Sequence, residues 1–186
     1  MFSEFGRSVV SRIVKITPDS DSFVGFPYPS DGKENNGGFN LLKNPEKIDD
    51  ITEFKKFPEL RRFIEWLNFE SMRYRSFGCD AGYIDTGFAG YIEFSFRSSE
   101  QAERWDLYDQ LFDNFEDWTK AKFPGYEFGI CSSLNPRWAK VLCDGKYFGI
   151  KICLCFEAQT QDTAAQLLDI FFEFLKEKEV QNQPVV

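Results

Sequence analysis

Asp144-Gly145 stands between two β-prone stretches, Trp138–Cys143 and Lys146–Glu157, and no other feature of the chain limits its fold so sharply. A two-residue loop joins antiparallel strands through a type I′ turn. Both central residues of that turn need positive φ, which Gly adopts freely and Asp at little cost. With this turn, Val141 opposes Phe148. On the second strand Phe148, Ile150, Ile152, Leu154 and Phe156 share one face, and Lys151, Cys153, Cys155 and Glu157 share the other. That is the period of a sheet with one buried side.

The same period runs through residues 82–97. Ile92, Phe94 and Phe96 point one way and Glu93, Ser95 and Arg97 the other, with Gly82–Ile84 pairing back across an Asp85–Ala89 turn. Tyr126–Cys131 reads as a further strand and Ser133–Pro136 as a turn. Near the start, Val9, Val10, Ile13, Val14 and Ile16 favour a strand over residues 5–16 by β-branching.

Between these stretches the period changes to that of helices. Leu60, Phe63, Ile64 and Leu67 make a core stripe from Pro58 towards Phe69 or Met72, after a short turn begun by Asn44-Pro45 that includes Ile48 and Ile51. Ser98 and Gln101 form a capping box at the head of a helix over 98–120. Its rings, Trp105, Tyr108, Phe112, Phe115 and Trp118, lie opposite a ridge of Asp106, Asp109, Asp113, Glu116 and Asp117. Thr160 or Asp162 caps a last helix. Its apolar arc over 164–175 is wide enough to call for cover on more than one side, by the loop region or by a second copy in a homodimer. The expected fold is α+β: one domain over residues 1–186, an antiparallel sheet of four to six strands with helices packed mainly on one face. A long loop at 17–44, rich in Gly, Pro, Ser, Asp and Asn, and a frayed tail at 179–186 complete it.

Composition narrows the chemistry. Thirty acidic against 22 basic residues give a net charge of −8, which repels phosphate backbones and anionic surfaces and makes nucleic acid an unlikely partner. The chain has no histidine, so His-dependent triads and imidazole metal ligands are excluded. No run of about 18 apolar residues provides a membrane helix. The first ten residues do not resemble a secretory signal, and the odd number of cysteines, five, suits reduced thiols; both point to the cytoplasm.

The motifs do not assemble a convincing catalytic set. Asp85-Thr86-Gly87 has no second copy and reads as a hairpin turn rather than half of an aspartic protease site. Cys153-Leu154-Cys155 places two thiols on one strand face, with Cys131 and Cys143 as further candidates. Yet i,i+2 side chains in a regular strand start nearly 7 Å apart, so ordinary packing is the simpler reading and no metal or cofactor is expected. Gly37-Gly38 lacks the Lys-Ser/Thr of a phosphate loop, and Asp19-Ser20-Asp21 falls short of a calcium loop. Arg61, Arg62, Arg73 and Arg75 beside Trp66 and Tyr74 are interrupted by Glu59, Glu65 and Glu70.

Two surfaces remain. The acidic ridge offers Asp106, Asp109, Asp113 and Glu116 to a basic partner, and the aromatic segment 23–29 offers Phe23, Phe26 and Tyr28. The simpler reading of that segment is a lid folded back over the domain's own sheet. The leading expectation is a non-enzymatic intracellular interaction module, an acidic inhibitor or immunity-like protein masking a basic partner. The alternative is a carboxylate-dependent enzyme or small-molecule-binding domain. Its pocket would lie between the sheet and the 17–44 loop, with Glu93, Glu127 and Glu157 converging there.

Overall fold

The computed structural model describes residues 17–30, 37–124 and 132–181. Five strands form a single mixed sheet in the order β1-β4-β5-β3-β2, where β1 is Thr17–Phe26, β2 Tyr74–Ile84, β3 Gly87–Phe96, β4 Ser132–Cys143 and β5 Lys146–Ala158. Four of them are joined antiparallel; β1 runs parallel to β4 along the edge. The helices are α1 (Glu59–Glu65), α2 (Ser99–Ala102), α3 (Trp105–Lys122) and α4 (Gln161–Gln181). The α+β expectation therefore holds, with a mixed sheet in place of a wholly antiparallel one.

The Asp144-Gly145 turn forms as its chemistry demands, with φ of 52° and 76°. Its register differs from the simple count. Leu142 pairs with Tyr147 but Val141 with Gly149, so Phe148 is an extra residue in a bulge. The bulge turns Phe148 towards Phe77, whose ring centre lies 5.9 Å away. It also brings Gly149, at φ 144°, against Ala102 of α2, where an added Cβ would approach to 2.7 Å. Beyond the bulge the alternation holds: Ile150, Ile152, Leu154 and Phe156 are buried beneath the helices.

Several segments correct the sequence reading. Thr17–Phe26, read as loop, is a strand because β4 supplies a parallel partner from the far end of the chain, a pairing that local pattern cannot reveal. Ser133–Pro136, read as a turn, lies inside β4, with Pro136 opposite Leu154; proline fits a strand where its missing N–H is not called upon. The first strand of the β2–β3 hairpin begins at Tyr74, well before Gly82, and is bulged at Phe77. The strand readings at 5–16 and 126–131 lie outside the described residues.

The helix expected over 98–120 is broken after Ala102. The Ser98 carbonyl accepts the Ala102 N–H, but its hydroxyl makes no cap to Gln101. The break lets α2 lie on Gly149 while α3 turns so that Trp105 meets Trp138 at 5.5 Å. Tyr108, Leu111, Phe112 and Phe115 enter the core, as their spacing predicts. After α1 the chain continues through a π-turn, Trp66–Glu70, in which Asn68 donates to the Ile64 carbonyl and to Ser76.

The last helix starts where expected, with Thr160 Oγ1 accepting the Thr163 N–H. Its wide apolar arc is covered within the chain. Phe172 packs on Phe63 of α1, while Phe171 meets Phe94 of the sheet and Phe112 and Phe115 of α3. The face over 164–175 that suggested a homodimer is thus already occupied. The helix also outruns the tail expected from residue 179: it continues to Gln181, and buried Glu179 accepts the Met72 and Arg73 N–H groups. No helix among the described residues is long and apolar enough to cross a membrane.

Candidate functional site

Among the described residues, one end of the sheet face away from the helices is covered. There Phe26, Phe77 and Val141 form a small second core, backed by Tyr28, Cys143 and Phe148. Arg75 is buried within it, its guanidinium 4.7 Å from the Phe77 ring centre and 5.1 Å from that of Phe148. Desolvation in this apolar setting holds the Arg75 pKa below its usual range.

Beside this core three polar side chains from distant parts of the chain meet. Tyr28 donates its hydroxyl hydrogen to Glu93 Oε2 at 2.5 Å, and Lys151 Nζ donates to the Tyr28 oxygen at 2.7 Å. Lys151 and Glu93 also form a direct ion pair, both side chains being nearly inaccessible to solvent, at 4% and 10%. Every member satisfies another, which is the condition under which buried charge is tolerated. Burial, then the adjacent Glu93 carboxylate, pushes the Tyr28 phenol far above its ordinary pKa. Glycines make the approach possible. A Cβ at Gly78 would lie 3.1 Å from Glu93 Oε2, and one at Gly38 would lie 2.8 Å from the Tyr28 ring. The Gly38 N–H donates to the Tyr28 carbonyl, tying both limbs of the covering segment together.

Tyr28 of this latch lines a cleft of about 300 Å³ at the β2 edge, between the strand and residues 37–53. That volume is at the small end of ligand sites. Its wall combines the rings of Tyr28, Phe39, Phe77 and Tyr91 with the carboxylates of Glu53 and Asp80. Neither carboxylate forms an ion pair with the described residues; Asp80 accepts only the Ala81 N–H at 2.8 Å. Their negative charge reaches neighbouring groups. Burial raises the Tyr91 phenol, with Glu93 and Asp80 adding to the shift; burial raises the Cys79 thiol, with Glu53 and Asp80 adding to it. A shallower groove continues along the strand past Asp80 and Tyr91 to Lys56 and Tyr83.

The residues singled out from sequence fall differently. Phe26 is buried against Phe77, and the half-buried Tyr28 turns its hydroxyl inward onto the Glu93–Lys151 pair while its ring lines the cleft. Phe23 remains 54% exposed, edge-on to Tyr147. The α3 ridge is wet but interrupted. Asp106 pairs with Arg104 and Glu116 with Lys120, while Asp109, Asp113 and Asp117 stay exposed. Hydrogen bonding to Arg104 holds the Asp106 carboxyl below its usual range.

Of the three glutamates expected to converge, Glu93 is in the latch. Glu157 is exposed, accepts from Thr86, and pairs in register with Ala89, four residues along β3 from Glu93. At about 3.3 Å per residue that is about 13 Å, too far for shared proton transfer. Glu127 lies outside the described residues. The arginine patch is likewise dispersed: Arg61 pairs with Asp49 and Glu65, Arg62 with Asp169, and Arg75 is buried. Glu53 and Asp80, the carboxylates that do share a cleft, were not singled out by sequence. They come from a 3-10 turn and an edge strand with no common spacing. Comparison with known proteins finds no matching family model, curated protein or solved structure.

Proposed function

We propose that the chain is a non-enzymatic binding protein for a basic protein partner, and that a guanidinium or ammonium side chain of that partner enters the cleft between β2 and residues 37–53. One observation carries this reading: two carboxylates without an ion-pair partner among the described residues share a small cleft with four aromatic rings. Rings attract a cation through their negative faces, at about 0.5–2 kcal/mol each according to desolvation. Carboxylates supply the charge that an alkyl group cannot use. Within the same fold, Lys151 lies 5.0 Å from the Tyr28 ring centre, so this surface already accommodates one such pairing. The exposed stripe of Asp109, Asp113 and Asp117 on α3, together with the net charge of −8, adds long-range attraction that speeds encounter and weakens with salt.

The test is calorimetric titration of the full chain with arginine-rich peptides and with the same peptides carrying citrulline, the uncharged isostere. Arginine peptides bind and citrulline peptides do not. Glu53→Gln and Asp80→Asn each weaken binding by about two- to five-fold, the range of partly exposed charge contacts, and together by about tenfold. Equal binding of both peptides, or binding indifferent to the double variant, overturns the reading.

A further inference from the structure

The cleft runs on into a groove of about 400 Å³ that reaches Ile84 and Lys56, and Asp80 and Tyr91 belong to both. Asp80 pairs with Tyr91 and Gly82 with Ala89, so these four share one face of the β2–β3 hairpin. The groove is open: a Cβ on Gly82 would meet nothing within 4 Å, and the flanking Tyr83 and Ile84 are 77% and 45% exposed. Lys56 stands at its side. The Lys56 N–H donates to the Glu53 carbonyl, one 3-10 turn back. The Lys56 carbonyl accepts from Gln161, whose side-chain oxygen accepts the Tyr83 hydroxyl hydrogen. The backbone of Lys56 is thus held between the cleft and the Tyr83 end of the groove. Its side chain is exposed and forms no ion pair with the described residues.

We infer that the partner lies along this groove as an extended segment carrying a carboxylate two to four residues from the cation in the cleft, and that Lys56 receives that carboxylate. This rests on the cation site proposed above and adds the contact that sets the register of the bound segment. Charge complementarity fixes the occupant. Glu53 and Asp80 call for a cation at one end, and Lys56 calls for an anion along the groove. A segment basic throughout would bring a second cation against Lys56, and an apolar one would leave both carboxylates unanswered. The lengths agree. Asp80 to Ile84 is four strand steps, about 13 Å, and an extended peptide covers that distance in four residues with every second side chain on one side. An exposed pair of this kind is worth about two- to five-fold in affinity, so Lys56 selects among basic segments more than it tightens their binding.

The experiment is calorimetric titration of the full chain with end-blocked peptides that carry one arginine and, two or four residues away in either chain direction, Glu, Gln or Lys. At one of these positions Glu binds about two- to five-fold more tightly than Gln, and Lys more weakly than Gln. The net charge of −8 disfavours an added carboxylate in general, so a gain from Glu marks a local cation. Lys56→Gln, a change at an exposed side chain, removes the difference, and Lys56→Glu reverses its order. Glu no better than Gln at every position overturns the assignment, as does a Glu preference that survives in folded Lys56→Gln. Citrulline in place of the arginine separates the two claims. If arginine peptides outbind their citrulline forms while Glu gains nothing, the cation site stands and the role of Lys56 falls; if arginine and citrulline peptides bind alike, the cation site itself falls.

Discussion

Replacing Lys151 with methionine removes one charge from the buried latch and leaves the rest of its surroundings in place. The side chains of Lys151 and Glu93 are 4% and 10% exposed, so water cannot take over the lost role. The Glu93 carboxylate is left with the Tyr28 hydroxyl as its remaining donor in the latch. Breaking a buried ion pair from one side costs about 3–5 kcal/mol, because the surviving charge keeps its desolvation penalty without its partner. For a chain of this size each kcal/mol moves the midpoint by about 2–4 °C, so Lys151→Met lowers Tm by about 6–20 °C. Neutralising both partners, in Glu93→Gln/Lys151→Met, recovers most of that loss, since the amide oxygen still accepts from Tyr28. Urea unfolding of the wild type, the two single variants and the double variant closes a double-mutant cycle with a coupling energy of about 2–3 kcal/mol. A loss below about 1 kcal/mol, or a double variant as unstable as the sum of the singles, refutes the latch as described.

Three further outcomes follow from the geometry. Gly149→Ala places a Cβ 2.7 Å from Ala102 on a backbone at φ 144°, and costs about 2 kcal/mol or more in chemical unfolding. Thr160→Ala removes the α4 cap and costs about 1 kcal/mol by the same assay. Burial raises the folded-state pKa of Tyr28, Tyr91 and Tyr108 above the ordinary 10.0, so each contributes stability in full below that pH and loses it as pH rises. In a spectrophotometric titration their phenolate absorbance therefore rises only together with alkaline unfolding.

Local pattern carried the reading wherever a residue's fate was set by its near neighbours. The Asp144-Gly145 turn, the alternation of Ile92, Phe94 and Phe96, and the buried rings of α3 are all of this kind. It failed where the decisive partner is remote. β1 is a strand because of β4, and the bulges at Phe77 and Phe148 exist because a second small core sits on the far face of the sheet. In the latch, Tyr28 and Glu93 are 65 residues apart and Glu93 and Lys151 are 58 apart. Glu93 was visible as a strand residue facing away from the core. That it would be neutralised by Lys151, whose position on the same face was equally visible, required the register between β3 and β5. The expected pocket lay between the sheet and the 17–44 loop with Glu93, Glu127 and Glu157; the cleft described here lies between β2 and residues 37–53, with Glu53 on a 3-10 turn and Asp80 on an edge strand.

The most direct measurement of the central claim is a heteronuclear NMR titration of the full chain with methylguanidinium, the smallest probe that carries the expected charge and shape. The account predicts saturable shifts in the amides of Gly38, Gly78, Asp80 and Tyr91 around the cleft, lost in Glu53→Gln/Asp80→Asn. Shifts confined to α3, or spread over the surface without saturation, would contradict it.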